Sequence, residues 1–161
     1  MSIDAARYRQ IAGHFATGVT VITTAFEGWL HGMTANAVAS LSLDPLLFLV
    51  CVDKAAHMHG QLEKAGRFGV NILADDQEDI SRLFATSMEP ERERLGGFEY
   101  HLGPHGTPVL EGALAYIECD VTDRHAGGDH TIFIGSVIDG EVAREAPPLL
   151  FFRGGYRRIG E

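Results

Sequence analysis

The sequence predicts a mainly β protein with a few short helices, arranged as a β-barrel with helical caps. Three observations carry this. Short apolar or alternating runs recur along the 161 residues, separated by Gly, Pro and Asp turn signals. Only three stretches have helical spacing. The alternating strand–helix order of a doubly wound sheet is missing, and so is its GxGxxG turn. Strands in a meander leave exposed edges, which closure removes. An open α+β sheet is the other arrangement compatible with the same elements.

The first helix spans Asp4 to Gly13 or slightly beyond, with Tyr8, Ile11, Ala12 and Phe15 as an apolar stripe expected to cover one end of the sheet. Val19 to Ala25 is rich in β-branched residues and ends at Glu27-Gly28, after which Trp29 to Ala35 returns as the second arm of a hairpin. Leu46 to Val52, introduced by the turn signal Asp44-Pro45, is apolar throughout and so expected to be buried on both faces. Ala56 to Ala65 is helical through Met58, Leu62 and Ala65 and stops at Gly66, a residue suited to a left-handed cap. Phe68 to Leu73 resumes as strand. Asp76 to Ala85 is a helix with acidic residues at its start and a stripe of Ile80, Leu83 and Phe84.

Thr86 to Gly97 is polar and charge-dense, and reads as a mobile connection or an irregular helix ending at Gly96-Gly97. Leu114 to Asp123 alternates, with Ala115, Ile117, Cys119 and Val121 on one side and Tyr116, Glu118 and Asp120 on the other. Thr131 to Ile138 is its expected antiparallel partner, across a loop from Arg124 to Gly128. Leu149 to Phe152 and Tyr156 to Ile159 are expected to close the sheet around Gly154-Gly155.

Composition narrows the function. A chain of 45% hydrophobic and 22% charged residues is long enough for one core, so a single domain over residues 1–161 is expected. Its formal charge of −9 argues against a nucleic-acid partner. The only dense basic cluster, Arg153, Arg157 and Arg158, reads as solvated surface or an interface rim. No apolar stretch near the N-terminus resembles a signal-peptide core, and the longest apolar run is far short of the roughly 20 residues that span a bilayer. No membrane partner is therefore expected. Cys51 and Cys119 sit inside strand-like segments as small core hydrophobes with no CxxC pair, which fits a reducing, cytoplasmic compartment.

Three segments offer chemistry. Met33 to Ser42 carries small residues, among them Thr34, Ala35, Asn36, Ala37, Ser40 and Ser42, whose backbone a flat ligand can approach; the plain reading is a closely packed bend. Lys54, just past the Leu46–Val52 strand, can neutralise a phosphate or simply snorkel to solvent. Gly127-Gly128-Asp129-His130 joins two strands and sets an acid and an imidazole on a loop; alone, it is a glycine-rich turn. His57 and His59 lie two apart and point to different helix faces without a third ligand, so no metal is expected. There is no GxSxG elbow for a nucleophile.

In order, these pieces resemble the flavin reductase family of split-barrel, FMN-binding type, which includes the reductase components of two-component flavin-dependent monooxygenases. The marks run nearly the length of the chain: Phe15-Ala16-Thr17-Gly18-Val19-Thr20-Val21, Gly32-Met33-Thr34-Ala35-Asn36-Ala37, Ser40-Leu41-Ser42-Leu43-Asp44-Pro45, Gly106-Thr107-Pro108-Val109-Leu110, Gly128-Asp129-His130 and Tyr156-Arg157. Each string is weak alone; the ordered set is strong.

The resemblance implies a homodimer of split barrels with FMN or FAD at the interface, NADH or NADPH as co-substrate, and a monooxygenase partner that receives reduced flavin. It assigns Thr34, Ala35, Asn36 and Ala37 to the flavin ring. Ser40, Ser42 and Lys54 would approach its ribityl or phosphate, and His57, Arg82 and Phe84 would stand nearby. Gly128, Asp129 and His130 would form the nicotinamide loop, with His130 against the carboxamide and Asp129 orienting the loop or His130. His57 stands where Ser or Thr is frequent in the family. Hydride transfer between two cofactors needs little acid–base machinery from the protein. The competing reading is a split-barrel protein that holds its flavin tightly, as an electron carrier or storage module without nicotinamide turnover.

Overall fold

A computed structural model describes residues 2–160; Met1 and Glu161, the two ends of the expected domain, lie outside the described residues. Helix α1 (Ala5–Ala12) leads to strands β1 (Thr17–Gly18), β2 (Thr20–Phe26), β3 (Trp29–Ala35), β4 (Val38–Leu43) and β5 (Leu46–Asp53). Helix α2 (His57–Ala65), strand β6 (Arg67–Ile72) and helix α3 (Glu78–Phe84) follow. The remainder is strand: β7 (Glu91–Arg92), β8 (Tyr100–Leu102), β9 (Pro108–Leu110), β10 (Ala115–Gly127), β11 (His130–Val142), β12 (Leu150–Phe152) and β13 (Gly155–Arg157). The class is therefore mainly β with three short helices. No helix among the described residues is long and apolar enough to cross a membrane.

Eight strands form one sheet in the order β4-β5-β11-β10-β6-β2-β3-β7, antiparallel at every pairing. Its edge strands β4 and β7 do not pair, so hydrogen bonding does not close the barrel. Shape comes from α2. That helix touches both β5 and β3, which stand five strands apart in the sheet order. Laid flat, those strands would be roughly 24 Å apart, more than twice the width of a helix. The sheet must therefore curl around α2. Met58 and Leu62 of α2 are fully buried against Ile22, Val50, Val52, Phe68, Val70 and Phe133.

Local chemistry explains the hairpins. Glu27 (φ 51°) and Gly28 (φ 82°) both take positive φ between β2 and β3, the pattern of a type I′ turn, whose twist suits paired strands. Gly66 caps α2 at φ 67°, its N–H donating to the Leu62 carbonyl.

Several expectations need correction. The Asp4 side chain caps α1 by accepting from the Arg7 N–H, but no residue of the helix is buried: Tyr8, Ile11 and Phe15 are exposed and cover nothing in this chain. In β5 only Val50 and Val52 are buried; Leu46 is exposed, and the outward face of the strand has no layer above it. Ser40 and Ser42 lie on a strand, β4, which makes a hairpin with β5 across the cis Asp44-Pro45 peptide. Residues 86–97 form no helix: Glu91–Arg92 extends the sheet beside β3. Arg124 to Gly127 belongs to β10, so the connection to β11 is only Gly128-Asp129. Strands β12 and β13 do not close the main sheet; β12 pairs with both β1 and β13 in a separate three-stranded sheet.

The interior is tight where strands cross. A Cβ on Gly135 would stand 2.6 Å from the Cys119 Cβ and 2.8 Å from the Phe68 ring, whereas Gly60, on the outer side of α2, has open space. Gly135→Ala should lower unfolding free energy by about 1–3 kcal/mol in urea titrations. Gly60→Ala should raise it by up to about 1 kcal/mol.

Candidate functional site

Strand β3 and the ends of α2 and α3 enclose a cavity of about 250 Å³, walled by His31, Thr34, His57 and Phe84. A second cavity of about 150 Å³ is bordered by Thr34, Asn36, Ser81 and Tyr156. Thr34 and Ala85 line both, so the two are halves of one groove. Gly32 allows this arrangement, because a Cβ there would fall 2.8 Å from the Phe84 ring.

The groove has a fixed polar floor. The Thr34 hydroxyl donates to the Ser81 carbonyl at 2.6 Å, and Ser81 Oγ shares a 2.6 Å hydrogen bond with the Tyr156 hydroxyl. Arg82 pairs with Glu78 at 2.6 Å and lies 4.9 Å over the Tyr156 ring, which sets a guanidinium beside the second cavity. His31 and His57 meet edge to face at 6.1 Å in the first cavity. Burial, and secondarily His57, push the His31 imidazole down from 6.5 to about 4, so it is neutral at neutral pH.

A second cluster forms at the tip of the β10–β11 hairpin. Gly128 takes φ 63° as the first turn residue, where only glycine is unstrained. His130 Nδ1 lies 2.8 Å from Asp129 Oδ1, and the Lys54 N–H donates to the Asp129 carbonyl at 2.9 Å. The His130 imidazole, and more weakly Lys54, hold the exposed Asp129 carboxyl below the usual carboxylate range. The Ala55 N–H donates to Asp53 Oδ1 and the Ala56 N–H to the Asp53 carbonyl, turning the chain tightly into α2. Lys54 and His57 are three residues apart, which limits their separation to about 10 Å. The main-chain tie from Lys54 to Asp129 therefore joins the hairpin tip to the segment that leads into His57.

The structure thus gathers Thr34, Asn36, His57 and Phe84 on the groove, with Arg82 beside it through Tyr156, and gathers Lys54, Gly128, Asp129 and His130 in a second cluster, whose Lys54 stands three residues before His57 along the chain. Others stand apart. The Ala35 methyl belongs to the core, and Ala37 accepts from the Cys51 N–H. Ser40 and Ser42 pair with Phe48 and Leu47, so β4 carries them away from the Asp53 end of β5 by up to about 20 Å. His31, Ser81, Ala85 and residues 86–88 line the groove without having been singled out in the sequence. For His31 a signal existed, an imidazole in a strand two residues before Met33. Residues 86–88 carry no periodicity that points inward.

The donor set fits a polar, ring-bearing anion. The side chains of Asn36 and His57 on the groove, and of Lys54 nearby in sequence, make no hydrogen bond to any other described residue, and Lys54 supplies positive charge. Neither thiol competes for reactivity: burial pushes Cys119 up to about 12 and raises Cys51.

Residues 12–160 match the family model described as flavin reductase like domain. The reductase subunit of a flavin-dependent monooxygenase from Rhodococcus jostii is 39% identical over 158 residues, 98% of this chain and 80% of that protein. A solved flavin reductase in its native state superposes with a TM-score of 0.90 at 42% identity, covering 99% of this chain and 100% of the other. The NADH:FAD oxidoreductase of Streptomyces globisporus, solved with NAD and FAD fragments, gives 0.89 at 38% identity over 98% and 93% of the two chains.

The neutral state of His31 has a consequence for stability. Its folded-state pKa lies below the unfolded value of 6.5, so its contribution is fully present above pH 6.5 and is lost as pH falls toward about 4. The full loss is about 3 kcal/mol, at about 1.4 kcal/mol per pH unit. Unfolding titrations between pH 7 and pH 4 should show this decline in the native protein and a flatter profile in His31→Gln.

Proposed function

Because the chain belongs to the flavin reductase like domain family, we propose that it is an NADH-dependent flavin reductase. It reduces FMN or FAD as a single domain and delivers reduced flavin to a flavin-dependent monooxygenase. One observation carries this reading: His57 walls a groove of small and aromatic residues, and the segment just before it is tied through the Lys54 main chain to the turn that pairs Asp129 with His130.

When bound, the nicotinamide supplies a hydride and the flavin accepts it. The protein's task is to hold two rings in register. Thr34 and Asn36 border the flavin with their side chains, and Ala35 and Ala37 only through the main chain that joins them, with His57 and Phe84 as walls and Arg82 held near by Tyr156. Lys54 offsets phosphate charge. His130, oriented by Asp129 on the Gly128 turn, meets the nicotinamide. His31, held neutral by burial, adds no positive charge to the groove.

Ser40 and Ser42 reach this ligand only in a homodimer. The β4–β5 hairpin favours one, since Leu41, Leu43 and Leu46 are exposed near its turn and Leu47 and Leu49 are half-buried on the face of β5 opposite Val50 and Val52. A second copy covers that face in this reading, and the dimer works in the cytoplasm. Leu43→Asp should shift sedimentation from dimer to monomer and weaken flavin binding.

The activity test is anaerobic. Purified protein given NADH or NADPH with excess FMN or FAD should bleach many equivalents of flavin, with NADH the better donor. Binding without bleaching overturns the reading in favour of a carrier. His130→Ala should raise KM for NADH about tenfold, with the flavin Kd from fluorescence quenching unchanged.

A further inference from the structure

We propose that His59 is a positioning residue for the reductant loop, acting through Thr131 to hold the Gly128-Asp129-His130 turn against helix α2. The inference rests on the nicotinamide reading of that turn. It goes beyond it by naming what keeps the turn in place.

His59 Nε2 lies 2.8 Å from Thr131 Oγ1, and either group can donate, depending on the imidazole tautomer. Thr131 is buried and immediately follows His130. The His59 ring also meets Phe133 edge to face at 5.3 Å. Phe133 is fully buried, and the Arg124 guanidinium lies 5.8 Å from its ring centroid. Arg124 in turn pairs with Glu63 at 3.0 Å. Glu63 stands four residues after His59, on the same helix face. One face of α2 is therefore clamped to both arms of the β10–β11 hairpin, through Thr131 and Phe133 on β11 and Arg124 on β10.

The hairpin tip needs such a clamp. Beyond Val121 most of β10 is exposed, and on the β5 side pairing with β11 ends at His130 opposite Asp53. Apart from the β-ladder, the Lys54-to-Asp129 hydrogen bond is the one main-chain tie recorded at the turn among the described residues. The His59–Thr131 bond is the side-chain tie nearest to His130 from a different element. It sets the distance between the hairpin tip and the helix whose first residue, His57, walls the groove.

The test uses the full chain and two near-isosteric variants, Thr131→Val and His59→Phe, with Thr131→Ser as the conservative control. Two readouts are taken: hydrogen exchange of the 128–133 segment and steady-state kinetics with NADH. Each of the two variants should speed exchange in that segment about fivefold, the effect of one net hydrogen bond. KM for NADH should rise about fivefold, while kcat and the flavin Kd stay within twofold. Thr131→Ser should restore both readouts.

Unchanged exchange with unchanged KM overturns the inference, and so does a flavin Kd that rises in step with KM, which marks general loosening. Faster exchange with KM unmoved also overturns the positioning role. If His130→Ala leaves KM unmoved as well, the fault lies in the nicotinamide assignment and not in the clamp.

Discussion

Burial of Met58 and Leu62, two side chains of one nine-residue helix, against a curled sheet sets where α2 and the groove beside it stand. Met58 and Leu62 of α2 are fully buried against strands that are not neighbours in the sheet. Each such side chain contributes about 1.5–3 kcal/mol by leaving water, and the contribution exists only if the sheet bends far enough to reach the helix from both sides. Glycine at 135 makes that bend compatible with close packing, since a Cβ there would collide with the Phe68 ring and the Cys119 side chain. The helix is thus both the filling of the core and the reference point for the groove.

Helical geometry then distributes the work. At 3.6 residues per turn, His57 and His59 project about 200° apart, with Met58 between them toward the core. His57 accordingly meets His31 on β3, and His59 meets Phe133 and Thr131 on β11. The spacing that keeps the two imidazoles from sharing a metal is the spacing that lets one helix touch both the groove and the hairpin.

What could be read in the sequence was whatever depends on near neighbours. The β2–β3 hairpin was legible because β-branched runs flank a Glu27-Gly28 turn that takes positive φ at both positions. Helix α2 was legible through its apolar spacing and its Gly66 stop. Illegible features were those set by distant partners. The stripe Tyr8, Ile11 and Phe15 has the period of a packed face, yet periodicity does not say what packs there, and nothing in this chain does. The strands flanking Arg153-Gly154 were legible as strands, but their partner, the two-residue β1, is too short to announce itself. On the groove, Thr34 and Asn36 were legible through the Gly32–Ala37 motif, whereas residues 86–88 line it because α3 delivers them there.

Electrostatics shows why so small a set of side chains is enough. A chain of net charge −9 is a poor general host for phosphate-bearing ligands. At physiological salt, however, charges further away than about 8 Å are largely screened, so the local set dominates. In the groove that set is Lys54, Arg82 and whatever charge His130 carries, against Asp129 and Glu78, both already engaged by His130 and Arg82. Desolvation removes His31 from the balance by holding it neutral. The site therefore offers modest positive charge and many fixed contacts. Reactions that place large charge on a protein group need shifted acids and bases; transfer between two bound rings needs their separation held constant. Tethers such as Lys54 to Asp129 and His59 to Thr131 tie the β10–β11 hairpin tip to the segment and helix that carry His57, and in the proposed reading they hold that separation.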